Sequence, residues 1–113
     1  MYTSYYAKNS DSPNAVSIAI YTPRWFSGRT YKKLAPTPSI LETYKRTGDV
    51  QLYVDSYTRD VLSKLDVHEV WKELGPEAIL LCYESPEKFC HRHIVAKWLR
   101  DAGYEIEEIS YPY

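Results

Sequence analysis

The stretch from Leu80 to His93 carries the side chains best suited to chemistry. An apolar run ends at Glu84, a sharp turn follows, and a helix is expected to begin close to Cys90, His91 and Arg92. In open α/β sheets, ligands bind outside the carboxyl ends of the strands, which is where such a strand-to-helix turn lies. The stretch therefore indicates the location of a functional site, but it does not identify the ligand or substrate.

Three of these side chains are candidate catalytic groups. A thiol at a helix start beside a cation has a lowered pKa, so Cys90 next to Arg92 is a candidate nucleophile, with a small packed cysteine as the alternative. His91 lies one helical turn before Val95 and is expected to point inward, as a general base or as a buried structural histidine. Glu84 follows a buried strand and can act as an acid or base, or pair with Arg92.

The position of the helix start decides how strong the thiolate argument is. Ser85 can serve as the N-cap with Pro86 in the first turn, or the helix can begin close to Phe89. The earlier start would place Cys90 inside the helix and weaken its case as a nucleophile.

A long loop over residues 22–38 adds basic and aromatic side chains, and its prolines and glycine are expected to prevent regular structure. This loop follows an apolar strand predicted over residues 15–21, and the Glu84 turn follows one predicted over residues 78–83. If these strands are parallel neighbours, both loops rim the same crevice.

The crevice would then be an anion site, with phosphate as the expected anion. Arg24 and Arg29 from the long loop would join Arg92, and the helix start would add backbone N–H donors. Trp25 and Tyr83 would stack a base or cap the pocket. The alternative is that the loop cations are solvated and the aromatic side chains anchor the loop.

The cysteines and nearby histidines also raise the question of a metal site. As successive helix residues, Cys90 and His91 would diverge by about 100°, so we expect them not to share one ion. Structural zinc sites use paired ligands at fixed short spacings, which this chain lacks. We therefore predict no metal and no other cofactor, and two cysteines do not make a secreted disulfide framework.

Apolar strands alternate with helical patterns along the chain. The predicted elements are an edge strand over residues 2–6, a central strand over 15–21, a helix over 39–46, helices capped by Asp49 and Asp66, a strand over 78–83, a helix through Val95 and a strand over 104–109. This alternation predicts a small three-layer, Rossmann-like α/β sandwich with a mostly parallel sheet, forming a single domain over residues 1–113.

The composition argues against several functional classes. A net charge of −1 over 113 residues provides no overall attraction to nucleic acid or anionic membranes. No apolar run has membrane-spanning length, and no signal peptide is recognisable. We therefore expect a cytoplasmic protein without a membrane partner, whose oligomeric state the sequence does not indicate.

The strand Leu80-Leu81-Cys82-Tyr83-Glu84, followed by Cys90-His91-Arg92, resembles the domain-of-unknown-function 488 family, whose members show a leucine-leucine-cysteine-x-glutamate strand and then cysteine-histidine-arginine. The front half is similar as well, through Ser17-Ile18-Ala19, Pro23, Trp25-Phe26, Gly28, Tyr31 and Leu34-Ala35-Pro36. The resemblance implies a compact α/β domain and an important site at Glu84, Cys90, His91 and Arg92. It implies no established reaction.

Three functional hypotheses follow. The first is binding or processing of a phosphorylated ligand, a nucleotide or a nucleic-acid end, held by Arg92, Arg24 and Arg29. The second is a non-catalytic protein-interaction module in which the Cys-His-Arg cluster is structural. The third is a thiol enzyme that uses Cys90.

Overall fold

Five parallel strands and five α-helices make up the part of the chain that the structure, a computed structural model, describes, namely residues 1–83 and 89–109. The strands are β1 (Tyr2–Tyr5), β2 (Ala15–Ser17), β3 (Arg29–Thr30), β4 (Ile79–Cys82) and β5 (Glu107–Glu108). The helices are α1 (Tyr6–Asn9), α2 (Pro38–Thr47), α3 (Val50–Asp60), α4 (Val67–Leu74) and α5 (His91–Asp101), and short 3-10 helices cover Lys32–Leu34 and Leu62–Lys64. The predicted α/β class with a mostly parallel sheet is confirmed. Of the helices described, none is long and apolar enough to cross a membrane.

The strand order is β3-β2-β4-β1-β5. Val16 of β2 lies opposite Leu80 of β4, so the expected parallel pairing of these two strands is confirmed. The prediction that β1 is an edge strand is wrong, because β1 lies between β4 and β5. Its polar residues are compatible with a buried position because the hydroxyl of Thr3 donates to Glu108 and that of Ser4 to Asn9.

The loop over residues 22–38 is more regular than predicted. It contains β3, which pairs with β2, and a 3-10 helix that begins at Lys32. The backbone N–H of Tyr31 donates to the carbonyl of Ser17 and continues the pairing of these two strands. A two-residue strand is too short to show the alternation by which strands are recognised in a sequence.

The two faces of the sheet are covered differently. Leu80 packs on the face that α2 to α5 cover, together with Tyr57 and Val95. Leu81 points to the opposite face, because successive side chains of a strand alternate, and packs with Tyr6 and Phe26. One outer layer is therefore helical, whereas the other consists of the single turn of α1 and the loop after β2.

Helix ends follow the predicted capping residues. The side chain of Asp49 accepts a hydrogen bond from Leu52 N at the start of α3. Gly48 ends α2 with φ 66°, a left-handed conformation that glycine adopts without steric cost. Asp66 accepts hydrogen bonds from the backbone of His68 and Glu69 at the start of α4. These short-range predictions are confirmed.

Replacing the cap of α4 is expected to destabilise the fold measurably. Asp66→Ala leaves the first turn of α4 without its side-chain acceptor, so the free energy of unfolding should fall by about 1 kcal/mol. Chemical denaturation measures this change. Asp11→Ala, at an exposed position in a turn, is the matched control. Equal stability of the two variants would contradict the capping role.

Candidate functional site

A cavity of about 140 Å³ lies where β2 and β4 end and α5 begins. Its lining includes five aromatic residues, two cysteines and a histidine. The aromatic residues are Tyr21, Tyr44, Tyr53, Tyr83 and Phe89, and the others are Cys82, Cys90 and His91. The location agrees with the crevice predicted from the two strand ends.

Cys82 and Cys90 meet at one side of this cavity, and the structure joins their sulfurs as a disulfide. Cys82 is the last residue of β4, and Cys90 is the N-cap of α5, with extended backbone dihedrals. Both side chains are buried. Of the two predicted helix starts, the structure has the later one, so Cys90 lies outside the helix and in front of its amino end.

His91 is oriented by the end of β2. Its Nε2 lies 2.8 Å from the carbonyl oxygen of Ile18. A carbonyl only accepts, so Nε2 carries the proton, and in the neutral ring Nδ1 keeps its lone pair. Nδ1 lies 3.7 Å from Cys90 Sγ. The inward orientation predicted for His91 is confirmed, and its basic nitrogen faces the sulfurs.

The imidazole of His91 is neutral at physiological pH. Burial lowers its pKa from 6.5 to about 4, nearby Arg92 and His93 act in the same direction, and the hydrogen bond to Ile18 only partly opposes them. A neutral imidazole is the form that can accept a proton or bind a metal ion.

The side chain of Arg92 lies outside the cavity, between Cys82 of β4 and Glu108 of β5. Its side chain is fully buried; Nη2 and Nε donate to the two carboxylate oxygens of Glu108, at 2.9 and 3.1 Å. Nη1 lies 3.2 Å from Cys82 Sγ. The expectation that Arg92 binds a ligand anion in the crevice is not met, because two nitrogens of its guanidinium already donate to Glu108.

Glu108 is held as a carboxylate by these contacts. Partial burial alone would raise its pKa, but hydrogen bonds from Arg92 and Thr3 outweigh this effect, and the pKa is lower than usual. The ion pair joins α5 to β5, and Thr3 connects it to β1.

The other predicted ligand residues do not converge. Arg29 lies at the opposite end of the sheet, where its guanidinium donates to the carbonyls of Glu73 and Leu74, close to the start of β4. Arg24 is exposed. Trp25 is 64% exposed and packs edge-on against Tyr6, on the face away from α5. The anion site expected from these arginines is therefore not assembled by the described side chains.

Tyr83 and Glu84 were also predicted to belong to the site. Tyr83 does line the cavity; its ring contacts Tyr6, and its hydroxyl donates to the carbonyl of Tyr21. Glu84 lies outside the described residues. His93 is half-buried, and its Nε2 has no contact with solvent.

Cys90 and His91 can approach the same ion, contrary to the prediction. The expected divergence applies to successive helix residues, whereas Cys90 precedes the helix. As a result the ligand atoms of Cys82, Cys90 and His91 all lie within 4.8 Å of one another.

Glu108 was missed by the sequence analysis, although a signal was present. In an alternating strand, residues two apart share a face. Ile106 is buried and was assigned to the last strand, so Glu108 had to face inward with it. A carboxylate there needs a cationic partner, which Arg92 provides.

Comparison with known protein families assigns most of the chain to one family model. The profile DUF488-N3a, described as the active DUF488-N3 subclade, matches residues 8–103. Comparison with curated proteins and with solved structures gives no match.

Proposed function

The chain belongs to the DUF488 family, as its match to the active DUF488-N3 subclade shows, and from this premise we propose that it is a thiol-dependent enzyme that acts on a small molecule in the cavity. The observation that carries the proposal is the meeting of Cys82 and Cys90 at the cavity wall beside a neutral imidazole. The description of the subclade as active agrees with a site that performs chemistry.

Each cysteine has a group that stabilises its thiolate. Arg92 Nη1 lies 3.2 Å from Cys82 Sγ and can donate to it. Cys90 lies at the amino end of the 11-residue helix α5, where the helix dipole favours negative charge. Nδ1 of His91 is placed to accept a hydrogen bond from the Cys90 thiol.

The proposed reaction is a reversible exchange between the cysteine pair and a substrate disulfide. In the reduced protein, the Cys90 thiolate attacks one substrate sulfur, and the other sulfur leaves as a thiolate that takes up a proton. Cys82, as a thiolate, then attacks Cys90 Sγ in the mixed disulfide and releases the second substrate thiol. The product on the protein is the Cys82–Cys90 disulfide seen in the structure. The substrate gains the two electrons that the protein loses.

The cavity limits the part of a substrate that can enter. Its 140 Å³ is close to the roughly 150 Å³ of an engineered apolar cavity that admits benzene. The aromatic walls, which include Tyr44, Tyr53 and Phe89, favour a flat apolar group. The entering group is therefore about the size of a single ring.

A second candidate is a phosphorylated ligand, such as a nucleotide or a nucleic-acid end. The observation in its favour is the amino end of α5, where the N-cap residue Cys90 makes no capping hydrogen bond with its side chain and, together with His91, lines the cavity. A nucleotide that raises the melting temperature of wild-type protein, but not of the cavity-filling variant Leu41→Trp, would favour it.

Alkylation of the reduced protein at pH 6 tests the thiol proposal. We expect Cys90 to react with iodoacetamide at least tenfold faster than free cysteine, because its thiolate is stabilised and it borders the cavity. Peptide mass spectrometry assigns the modified residue. Cys82→Ser, which keeps Cys90 and removes its partner, should retain the fast reaction, whereas Cys90→Ser should lose it.

A Cys90 that reacts no faster than a free thiol in the folded protein would overturn the proposal. Failure of the oxidised protein to yield a Cys82–Cys90 peptide, two hydrogen masses lighter than the reduced pair, would exclude the exchange reaction.

A further inference from the structure

We propose that the reduced form of this site binds one zinc-like divalent metal ion through Cys82 Sγ, Cys90 Sγ and His91 Nδ1. The inference rests on the proposed function in one respect, since it requires the same two cysteines as reduced thiols. The three ligand atoms lie within 4.8 Å of one another, and all three residues are buried. Two thiolates and an imidazole form a donor set that suits zinc.

The distance between one sulfur and the imidazole is close to that of a tetrahedral site. Zinc binds sulfur at about 2.3 Å and imidazole nitrogen at about 2.0 Å, so a tetrahedral S–Zn–N edge is about 3.5 Å long. The observed distance from Cys90 Sγ to His91 Nδ1 is 3.7 Å.

The backbone leaves room for the sulfurs to separate around an ion. The Cα atoms of Cys82 and Cys90 are 7.2 Å apart, which leaves space between the two side chains for an ion once the disulfide is reduced. Metal binding and the disulfide exclude each other. Reduction by an external thiol transfers two electrons and two protons to the cysteine pair, and the ion then displaces the thiol protons.

His91 has the hydrogen bonding typical of a metal-bound histidine. Its Nε2–H donates to the carbonyl of Ile18, which fixes the ring and leaves Nδ1 directed at the sulfurs. Metal-binding histidines almost always donate their other N–H to a carbonyl, carboxylate or water in this way.

The charges around the site are suited to a bound cation with two thiolates. The ion and the two thiolates together are neutral, so burying them costs less than burying either alone. Arg92 can donate to Cys82 Sγ, while its own charge is balanced by Glu108. The guanidinium is therefore a hydrogen-bond donor to the sulfur and not an uncompensated positive charge next to the ion.

The fourth coordination position would face the cavity, which Cys82, Cys90 and His91 all line. Zinc held by three protein ligands and open at the fourth position is the arrangement of catalytic sites, whereas structural zinc has four protein ligands. The ligand of the cavity would then be a small molecule with a donor atom for the ion.

Cobalt titration of the chemically reduced protein tests this proposal without relying on activity. We expect one equivalent of Co²⁺ to produce thiolate-to-cobalt charge-transfer and visible ligand-field bands, which zinc then removes. Cys82→Ser, Cys90→Ser and His91→Gln should each weaken or abolish the bands. His91→Gln retains an N–H group for the Ile18 carbonyl and guards against loss of the fold. His68→Gln, at an exposed histidine, is the matched control and should bind as wild type.

Three results would overturn the site: no cobalt bands in the folded, reduced protein, unchanged bands in His91→Gln, or equal binding by the oxidised protein. Failure of the metal-site proposal can be distinguished from failure of the proposed thiol chemistry. Fast alkylation of Cys90 without cobalt bands removes the metal and leaves the thiol chemistry. Cobalt bands with slow alkylation of the metal-free protein leave the metal site and remove the thiol enzyme.

Discussion

Glu108→Leu is expected to destabilise the protein by about 3–5 kcal/mol, because it leaves the guanidinium of Arg92 buried without a counter-charge. The exposed fractions of the two side chains, 0% for Arg92 and 18% for Glu108, place this pair in the interior. Chemical denaturation at neutral pH measures the loss.

The double variant Arg92→Met/Glu108→Leu separates the cost of an unpaired charge from the value of the pair. Replacing both partners with apolar side chains of similar volume is often neutral or stabilising, so we expect most of the stability to return. If the double variant were less stable than Glu108→Leu alone, the pair itself would have to contribute the stability, and the unpaired charge would not explain the single variant.

The metal-free protein is expected to lose about 3 kcal/mol of stability between pH 6.5 and pH 4 through His91 alone. The folded pKa, about 4, is lower than the unfolded value of 6.5. As the pH falls through this window, the unfolded chain binds a proton at His91 and the folded chain does not. The contribution is therefore fully present above pH 6.5 and lost towards pH 4.

Denaturation series with a chelator present, at several pH values, measure this slope. Carboxylates such as Glu108 also titrate at the acidic end, so the informative quantity is the difference between wild type and His91→Gln. We expect the slope to be shallower in His91→Gln and unchanged in His68→Gln, because His68 is exposed. Parallel slopes in all three proteins would contradict a buried neutral His91.

The confirmed parts of the sequence analysis depend on short-range rules. The caps at Asp49 and Asp66 act within three residues of their own helices, so local patterns suffice to find them. That β2 and β4 are buried strands also follows from local information, since both segments are short, apolar and rich in aliphatic residues. Their pairing was a condition of the crevice prediction, which the observed register fulfils.

The wrong parts depend on contacts between distant segments. The position of β1 is set by pairing with β4 and β5, which its own residues do not reveal. Arg29 was expected at the crevice, but pairing of β3 with β2 carries it towards the carbonyls at the end of α4. Arg92 was expected to bind an anion, but its side chain is fully buried and forms an ion pair with Glu108.

A cavity lies at the strand ends where a crevice was predicted, but its lining differs from the prediction. Cations from two loops were expected, whereas the lining of the cavity includes aromatic residues, two cysteines and a histidine. The assignment of Cys82 to a strand is correct, but its contact with Cys90 was not predicted, because the sequence spacing of the two cysteines does not show that their sulfurs meet.

The central position of β1 has a consequence for how the chain folds. Thr3 pairs with Leu80 in β4, and its hydroxyl contacts Glu108, 105 residues further along the chain. Such distant pairings require large loops to close before the contacts can stabilise them, which slows folding. During synthesis, β1 leaves the ribosome before β4 and cannot pair with it until β4 emerges. The sheet is therefore expected to assemble late, with the burial of Arg92 among its last steps.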